Sequence, residues 1–280
     1  MQNKIANTLF IPLIARIHAS KNFKQYFYDE TAMKFEDKIP QKFLKISSEY
    51  ESLASAARYY ETDIMIKDFI ATHGSCNVVN LGCGLETLAF RFGKNGAKFY
   101  GVDLAEVIEF RANLMPPNHN EVLISSDFFD MKWGEKLDTT LPTIFVANGV
   151  FMYFSEKEIL NLIANLKANF KNAELIFDAT TKFGIKCANF YVGRFGKEMA
   201  KMHFFVQNAD EFANLCECEL LSKTPFFTTA RKILKDKTKL STRLTMAFVD
   251  KFDLAFILRL NLRKKKTGKT PVKLKIIPTR

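Results

Sequence analysis

Gly82-Cys83-Gly84, Asp103 and the pair Asp127-Phe128 are residues whose types and spacing suit a nucleotide ligand. Two glycines one residue apart make a turn without side chains, so a ligand can lie against the backbone. Asp103 follows roughly twenty residues later, where an acid can chelate the hydroxyls of a ribose. An acid beside a large aromatic, as at Asp127 and Phe128, suits an adenine: the carboxylate accepts from the exocyclic amine and the ring packs on the base. The rival reading of Asp127 is a turn or helix cap. The third glycine of the dinucleotide fingerprint is missing, with Thr87 in its place. An ordinary tight turn and a nicotinamide-dinucleotide site therefore both stay open. His203, among Met202, Phe204 and Phe205, is the candidate general base; a packed or hydrogen-bonded histidine is the alternative.

These residues need elements to hold them. Residues 78–81 read as a buried parallel strand, and Leu88, Ala89 and Phe92 give the helix that should follow the glycine turn. Strands are expected at 98–102, 122–124, 143–150 and 174–178. A helix at 105–115 is stopped by Pro116-Pro117, and another begins at the capping box Ser155/Glu158. Such alternation implies a doubly wound parallel sheet with ligands at the carboxyl ends of its strands. Asn80, Gly82, Asp103, Asp127, Asn148 and Asp178 all fall at those ends.

Ahead of the first strand, helical pieces are expected at 5–17, 23–33 and 37–46, then a clearer helix at 55–72 ended by Gly74. Arg58 and Asp63 on that helix read, as plain sequence, as surface charges. Residues 180–207 form an aromatic and Met-rich insertion that could line an apolar pocket. Asn208 with Glu211 caps a further helix through Leu215. Residues 219–222 and 242–249 are expected to close the sheet as an antiparallel pair, and 251–262 suits a last helix or strand.

A chain of 280 residues with 48% hydrophobic residues and 28 phenylalanines fits one large α/β domain, not a disordered chain. Its net charge of +11 is concentrated at one end. Residues 263–280 hold eight Lys or Arg and no acid, leaving +3 for the rest. That distribution argues against nucleic acid as the partner. We therefore expect one domain at 1–262 and a basic tail at 263–280. No segment reaches the roughly 18 uninterrupted apolar residues of a membrane span, and no signal peptide is expected. The five cysteines lack a disulfide framework or zinc spacing, so no metal is expected and a cytoplasmic location is the simplest reading.

Together these blocks resemble the leucine carboxyl methyltransferase family of class I S-adenosylmethionine-dependent methyltransferases, which includes bacterial O-methyltransferases related to polyketide-tailoring enzymes. The resemblance spans residues 7–227. It rests on LIARIHASKNFKQYFYDETAMKF, on Arg58 with Asp63, on VVNLGCGLET and GVDLAEVIEFR, on the Ser-Asp-Phe stretch, and on ANGVFMYFSEKEI. It implies a mostly parallel seven-stranded sheet with N-terminal lid helices over residues 1–73, and S-adenosylmethionine as cofactor. It also implies roles. Arg58 pairs with the carboxylate of the cofactor's methionine part, Gly82 and Gly84 let that part lie on the backbone, and Asp103 holds the ribose. Asp127 and Phe128 hold adenine, and Tyr153 faces the transferred methyl. Where the family usually has Glu before this Gly-Val block, the chain has Asn148, which accepts a hydrogen bond from an ammonium group without supplying a charge.

The implied reaction is methyl transfer to an oxygen of a small molecule, or to a protein C-terminal carboxylate. A carboxylate is already ionised and needs no base; a phenol would draw on Tyr153 or His203. Two alternatives stand beside it: an NAD(P)-dependent oxidoreductase, and a cofactor-binding protein of the same fold that has lost turnover.

Overall fold

Val78, Val79 and Leu81 are fully buried, so strand β1 (Asn77–Leu81) is covered on both faces, as the strands of a parallel sheet flanked by helices are. The computed structural model describes residues 2–40, 48–93, 96–194 and 201–263. β1 pairs in parallel with β2 (Lys98–Asp103) on one side and with β4 (Thr143–Ala147) on the other. β3 (Glu121–Ser125) continues the sheet beyond β2, and β5 (Ala173–Thr180) continues it beyond β4, both parallel. β7 (Ala255–Asn261) then lies antiparallel between β5 and β6 (Glu219–Pro225), giving seven strands in the order β3-β2-β1-β4-β5-β7-β6. The order reverses between β1 and β4, and a crevice at such a switch point is where open α/β sheets bind ligands.

Side chains alternate between two cores, as the period of a strand requires. Val79, Leu81, Phe145, Leu175 and Phe177 point to one face and pack with Ile159, Leu162 and Leu166 of α6 (Glu156–Asn169) and Phe212 of α8 (Ala209–Leu215). Val78, Phe99, Ile144, Val146 and Ile176 point to the other. There they meet Leu53, Ile66 and Phe69 of α3 (Glu49–His73) and Met246 and Val249 of α10 (Leu240–Lys251). A third cluster joins Phe10, Leu13, Ile14 and Ile17 of α1 (Gln2–Asn22) to Leu85, just beyond the glycine turn. Short helices α4 (Leu88–Phe92) and α5 (Ala105–Leu114) follow β1 and β2, α7 (Lys182–Arg194) follows β5, and α9 (Thr228–Leu234) precedes α10.

Several local expectations hold. Gly74 ends α3 with φ +65°, and Ser155/Glu158 closes a full capping box at α6. Asn208 caps α8. Others fail. The helix expected at 23–33 is reduced to α2 (Glu30–Met33), because the Asp29 carboxylate accepts from the Ala32 N–H and starts a new helix there. At 37–46 a short 3-10 turn covers Glu36–Lys38, and residues 41–47 lie outside the described residues. Residues 242–249 are not a strand but part of α10; β6 pairs with β7 instead. The strand expected at 143–150 stops at Ala147, where Asn148 and Gly149 (φ +72°) turn the chain out of the sheet. Residues 264–280 of the basic tail lie outside the described residues. Among the described residues no helix is long and apolar enough to cross a membrane.

Candidate active site

Beyond β1 the chain enters the left-handed region at Gly82 (φ +68°) and Gly84 (φ +45°). A Cβ on Gly82 would stand 2.8 Å from Val150 Cγ2, so both the backbone and the space demand glycine. The Gly82 and Cys83 N–H groups donate to the Val102 carbonyl at 2.9 and 3.2 Å, tying the turn to β2. Asp103, at the end of β2, is held from both sides: Gly84 N–H donates to Oδ2 and Leu104 N–H to Oδ1, each at 2.8 Å. Burial raises its carboxyl above the usual range despite those two donors. Burial also pushes the Cys83 thiol far up, so the cysteine inside the turn stays neutral and inert.

The carbonyls of this loop are held by two buried arginines. Arg111 of α5 donates to the oxygens of Gly84 and Glu86, and Arg16 of α1 donates to that of Leu85 at 2.6 Å. Arg16 also pairs with Asp29 (3.0 Å) and Glu86 (3.8 Å). Arg91 of α4 forks onto Asp63 of α3 with two bonds of 2.8 Å and reaches Glu86 as well. Burial alone would raise the Glu86 carboxyl, but Arg91 and Arg16 outweigh it and hold it at about 2. Thr87 adds a hydroxyl bond to Asp29, so the residue in place of the third glycine is fully buried in this network. Asp63, a surface charge as plain sequence, belongs to the same network.

A cleft of about 1000 Å³ opens above the carboxyl ends of the parallel strands. Arg58, Gly82, Gly84, Asp103, Asp127, Phe128, Asn148 and Tyr153 all line it. So does Asp178 at the end of β5, a residue placed at a strand end by sequence but given no role. Its Oδ2 is 3.0 Å from Arg58 Nη2, and its Oδ1 accepts from Gly149 N–H at 2.5 Å. Gly149 leaves room for Arg58, since a Cβ there would lie 3.2 Å from Nη1. Arg58 Nε is buried without a hydrogen-bond partner among the described residues. Asn148 Oδ1 accepts from the Thr62 hydroxyl at 3.1 Å.

Asp127 is a turn cap that also faces the cleft. Oδ1 accepts from Phe129 N–H at 2.9 Å, a turn cap, while the exposed side chain also lines the cleft. Phe128 is buried, with its ring against Phe129 and edge-on to Phe154. Burial raises the Tyr153 hydroxyl above its usual value, so it stands over the cleft as a neutral donor. His203 is not brought there. Its side chain is exposed and absent from the lining, because its backbone N–H, bonded to Met152 O at 2.7 Å, turns Met202 inward instead. Much of the remaining wall is apolar or aromatic, with Tyr50, Met152, Met202, Phe226, Phe227 and Phe248, interspersed with polar side chains such as Glu51, Ser55, Thr180 and Thr245.

The cleft thus offers a cation beside an anion, a second, partly buried carboxylate, and a broad apolar and aromatic surface. Comparison with known proteins agrees. A sequence profile of the leucine carboxyl methyltransferase family matches residues 9–167. The chain is 23% identical over 188 residues to the tetracenomycin polyketide synthesis O-methyltransferase TcmP of Streptomyces glaucescens, covering 66% of this chain and 70% of that one. It is 26% identical over 194 residues to leucine carboxyl methyltransferase 1 of Caenorhabditis elegans, covering 55% of this chain but only 57% of that relative. Among solved structures, a DUF574 family protein from Streptomyces avermitilis aligns with a TM-score of 0.55 and 12% identity, over 90% of this chain and 97% of that one; that likeness is one of fold.

Proposed function

The chain belongs to the leucine carboxyl methyltransferase family and is an S-adenosylmethionine-dependent O-methyltransferase, and we propose that its acceptor is a carboxylate or hydroxyl carried by an apolar small molecule. The nicotinamide-dependent alternative finds no support in the matched family. The observation that carries the proposal is one cleft that combines the Arg58–Asp178 pair and Asp103 with aromatic side chains. When bound, S-adenosylmethionine supplies a methyl on a sulfonium sulfur, which an acceptor oxygen takes by in-line displacement, leaving S-adenosylhomocysteine and, from a hydroxyl, a proton.

The chain's own residues fit that cofactor. Its methionine part is a zwitterion, and the Arg58–Asp178 pair presents one charge of each sign at the cleft. In our assignment Arg58, whose buried Nε lacks a partner, takes the carboxylate, and Asp178 takes the ammonium. Asn148 already spends one lone pair on Thr62, so Asp178 supplies the negative charge that Asn148 lacks. Asp103 accepts from the ribose hydroxyls, Asp127 accepts from the adenine amine, and Phe128 packs on the base. Tyr153, kept protonated, orients the acceptor oxygen by donation. No residue is assigned as base: an ionised carboxylate acceptor needs none, and alignment with water excluded supplies most of the rate. The five free cysteines support a reducing, cytoplasmic setting.

Calorimetry with S-adenosylhomocysteine and its deaminated analogue tests this assignment. Asp178→Asn should weaken the amino-bearing ligand about tenfold or more, the worth of a hydrogen bond to a charged group, and leave the deaminated ligand nearly unchanged. Equal loss for both ligands would reduce Asp178 to a support for Arg58. Absence of any binding at millimolar ligand would remove the cofactor site altogether.

A further inference from the structure

Beyond the cofactor end of the cleft, large apolar side chains are exposed in an ordered row. Leu240, Leu244 and Phe248 project from one side of α10 at four-residue spacing and are 63%, 62% and 47% exposed. Phe252, 53% exposed, sets its ring against Phe248 at 4.6 Å. The opposite side of the helix sends Thr242, Met246 and Val249 into the core. α10 is therefore apolar on two faces, and only the inner one is covered among the described residues. Phe183 and Phe190 of α7 are also exposed, 56% and 71%. Thr181, just before α7, donates its N–H to the Leu254 carbonyl, just after α10, at 3.2 Å.

Positive charge borders this row. Residues 231–252 hold seven Lys or Arg against Asp236 and Asp250. Both acids are paired, with Arg243 at 3.2 Å and Arg231 at 3.4 Å. Lys232, Lys235, Lys237, Lys239 and Lys251 are exposed, with no ion pair among the described residues. A second copy seated on this face would set lysine against lysine. A surface that is apolar inside and anionic at its boundary meets both features, because apolar side chains enter the acyl region while lysines stay among headgroup phosphates.

We propose that α10 docks on the surface of an anionic phospholipid bilayer, with Leu240, Leu244, Phe248 and Phe252 as the inserted row. Ser241, Thr245 and Phe248 also line the cleft, so docking brings its mouth to the lipid. An acceptor dissolved in the bilayer would reach the aromatic wall without crossing water.

Flotation of the full chain with phosphatidylcholine vesicles, with and without phosphatidylglycerol, tests this. The protein should float with the anionic vesicles, and raised salt should weaken binding. Leu240→Glu with Leu244→Glu should cut the bound fraction about tenfold or more at an unchanged melting temperature, since both side chains are exposed and neither lines the cleft. Lys235→Glu with Lys237→Glu, an independent variant, should abolish the preference for anionic vesicles. The proposal is overturned if the wild type floats with neither vesicle. It is equally overturned if the double Leu variant floats as well as the wild type, which would assign binding to the basic residues 263–280. Sedimentation of the wild type as a dimer that the Leu variant splits would hand the row to a second copy instead.

Discussion

Asp103 shows how one side chain can set the acid limit of ligand binding. Burial raises its carboxyl, and in the proposed assignment only the ionised form accepts from two ribose hydroxyls. Affinity for S-adenosylhomocysteine should be flat around neutral pH and fall as pH drops through that raised value, at a higher pH than an ordinary aspartate would give. Asp103→Asn should remove this limb and lower affinity at neutral pH about tenfold, as calorimetry across a pH series would record. For the unliganded fold the sign is opposite: the protonated form is favoured, so this residue's contribution to stability is present at low pH and lost as pH rises through the raised value. Gly82→Ala should cost both melting temperature and ligand affinity, because its Cβ would press on Val150 in a left-handed backbone. Asp103 and the two glycines were legible in the sequence because turn, strand and acid follow one another closely. Asp178 was not assigned, since its partner Arg58 lies 120 positions earlier and no local spacing links them.

At the scale of elements, the N-terminal helices are fastened to the glycine loop by charge as well as by Leu85. Arg16, Asp29, Asp63, Glu86 and Arg91 come from α1, the cap of α2, α3, the loop and α4. Arg91→Met would leave buried carboxylates without their cation and should destabilise the protein by about 3–5 kcal/mol, measured by urea unfolding. Glu86 is depressed to about 2 from an ordinary 4.5. Its share of stability is therefore present above about 4.5 and lost as pH falls toward 2; Glu86→Gln should flatten acid unfolding over that window. Strands β1 to β5 and α6 were readable because period and caps are local signals. The stretch 242–249 misled for a physical reason. Thr242 and Met246 face inward and Leu244 and Phe248 face outward, so two helical rows interleave into the alternation of a strand. The expected helix at 23–33 failed because Asp29 is claimed by Arg16 and by the N-terminus of α2, contacts that sequence spacing does not reveal.

Taken whole, the molecule closes its cleft with both halves of the chain. Leu9, Pro12 and Arg16 of α1 line it together with Thr242, Thr245 and Phe248 of α10. Ligand at a hundred times its dissociation constant should stabilise the fold by about 2.7 kcal/mol, and hydrogen exchange should slow in α1 and α10 together. β7 places a timing constraint on this closure. It is threaded between β5 and β6, with Ile257 directly opposite Asp178, and among the described residues β6 has no other neighbour in the sheet. A nascent chain must therefore wait with the flank of β5 open and β6 unpaired until residues 255–261 leave the ribosome. Only then does Asp178 gain its neighbouring strand, so the site is complete only once β7 has paired.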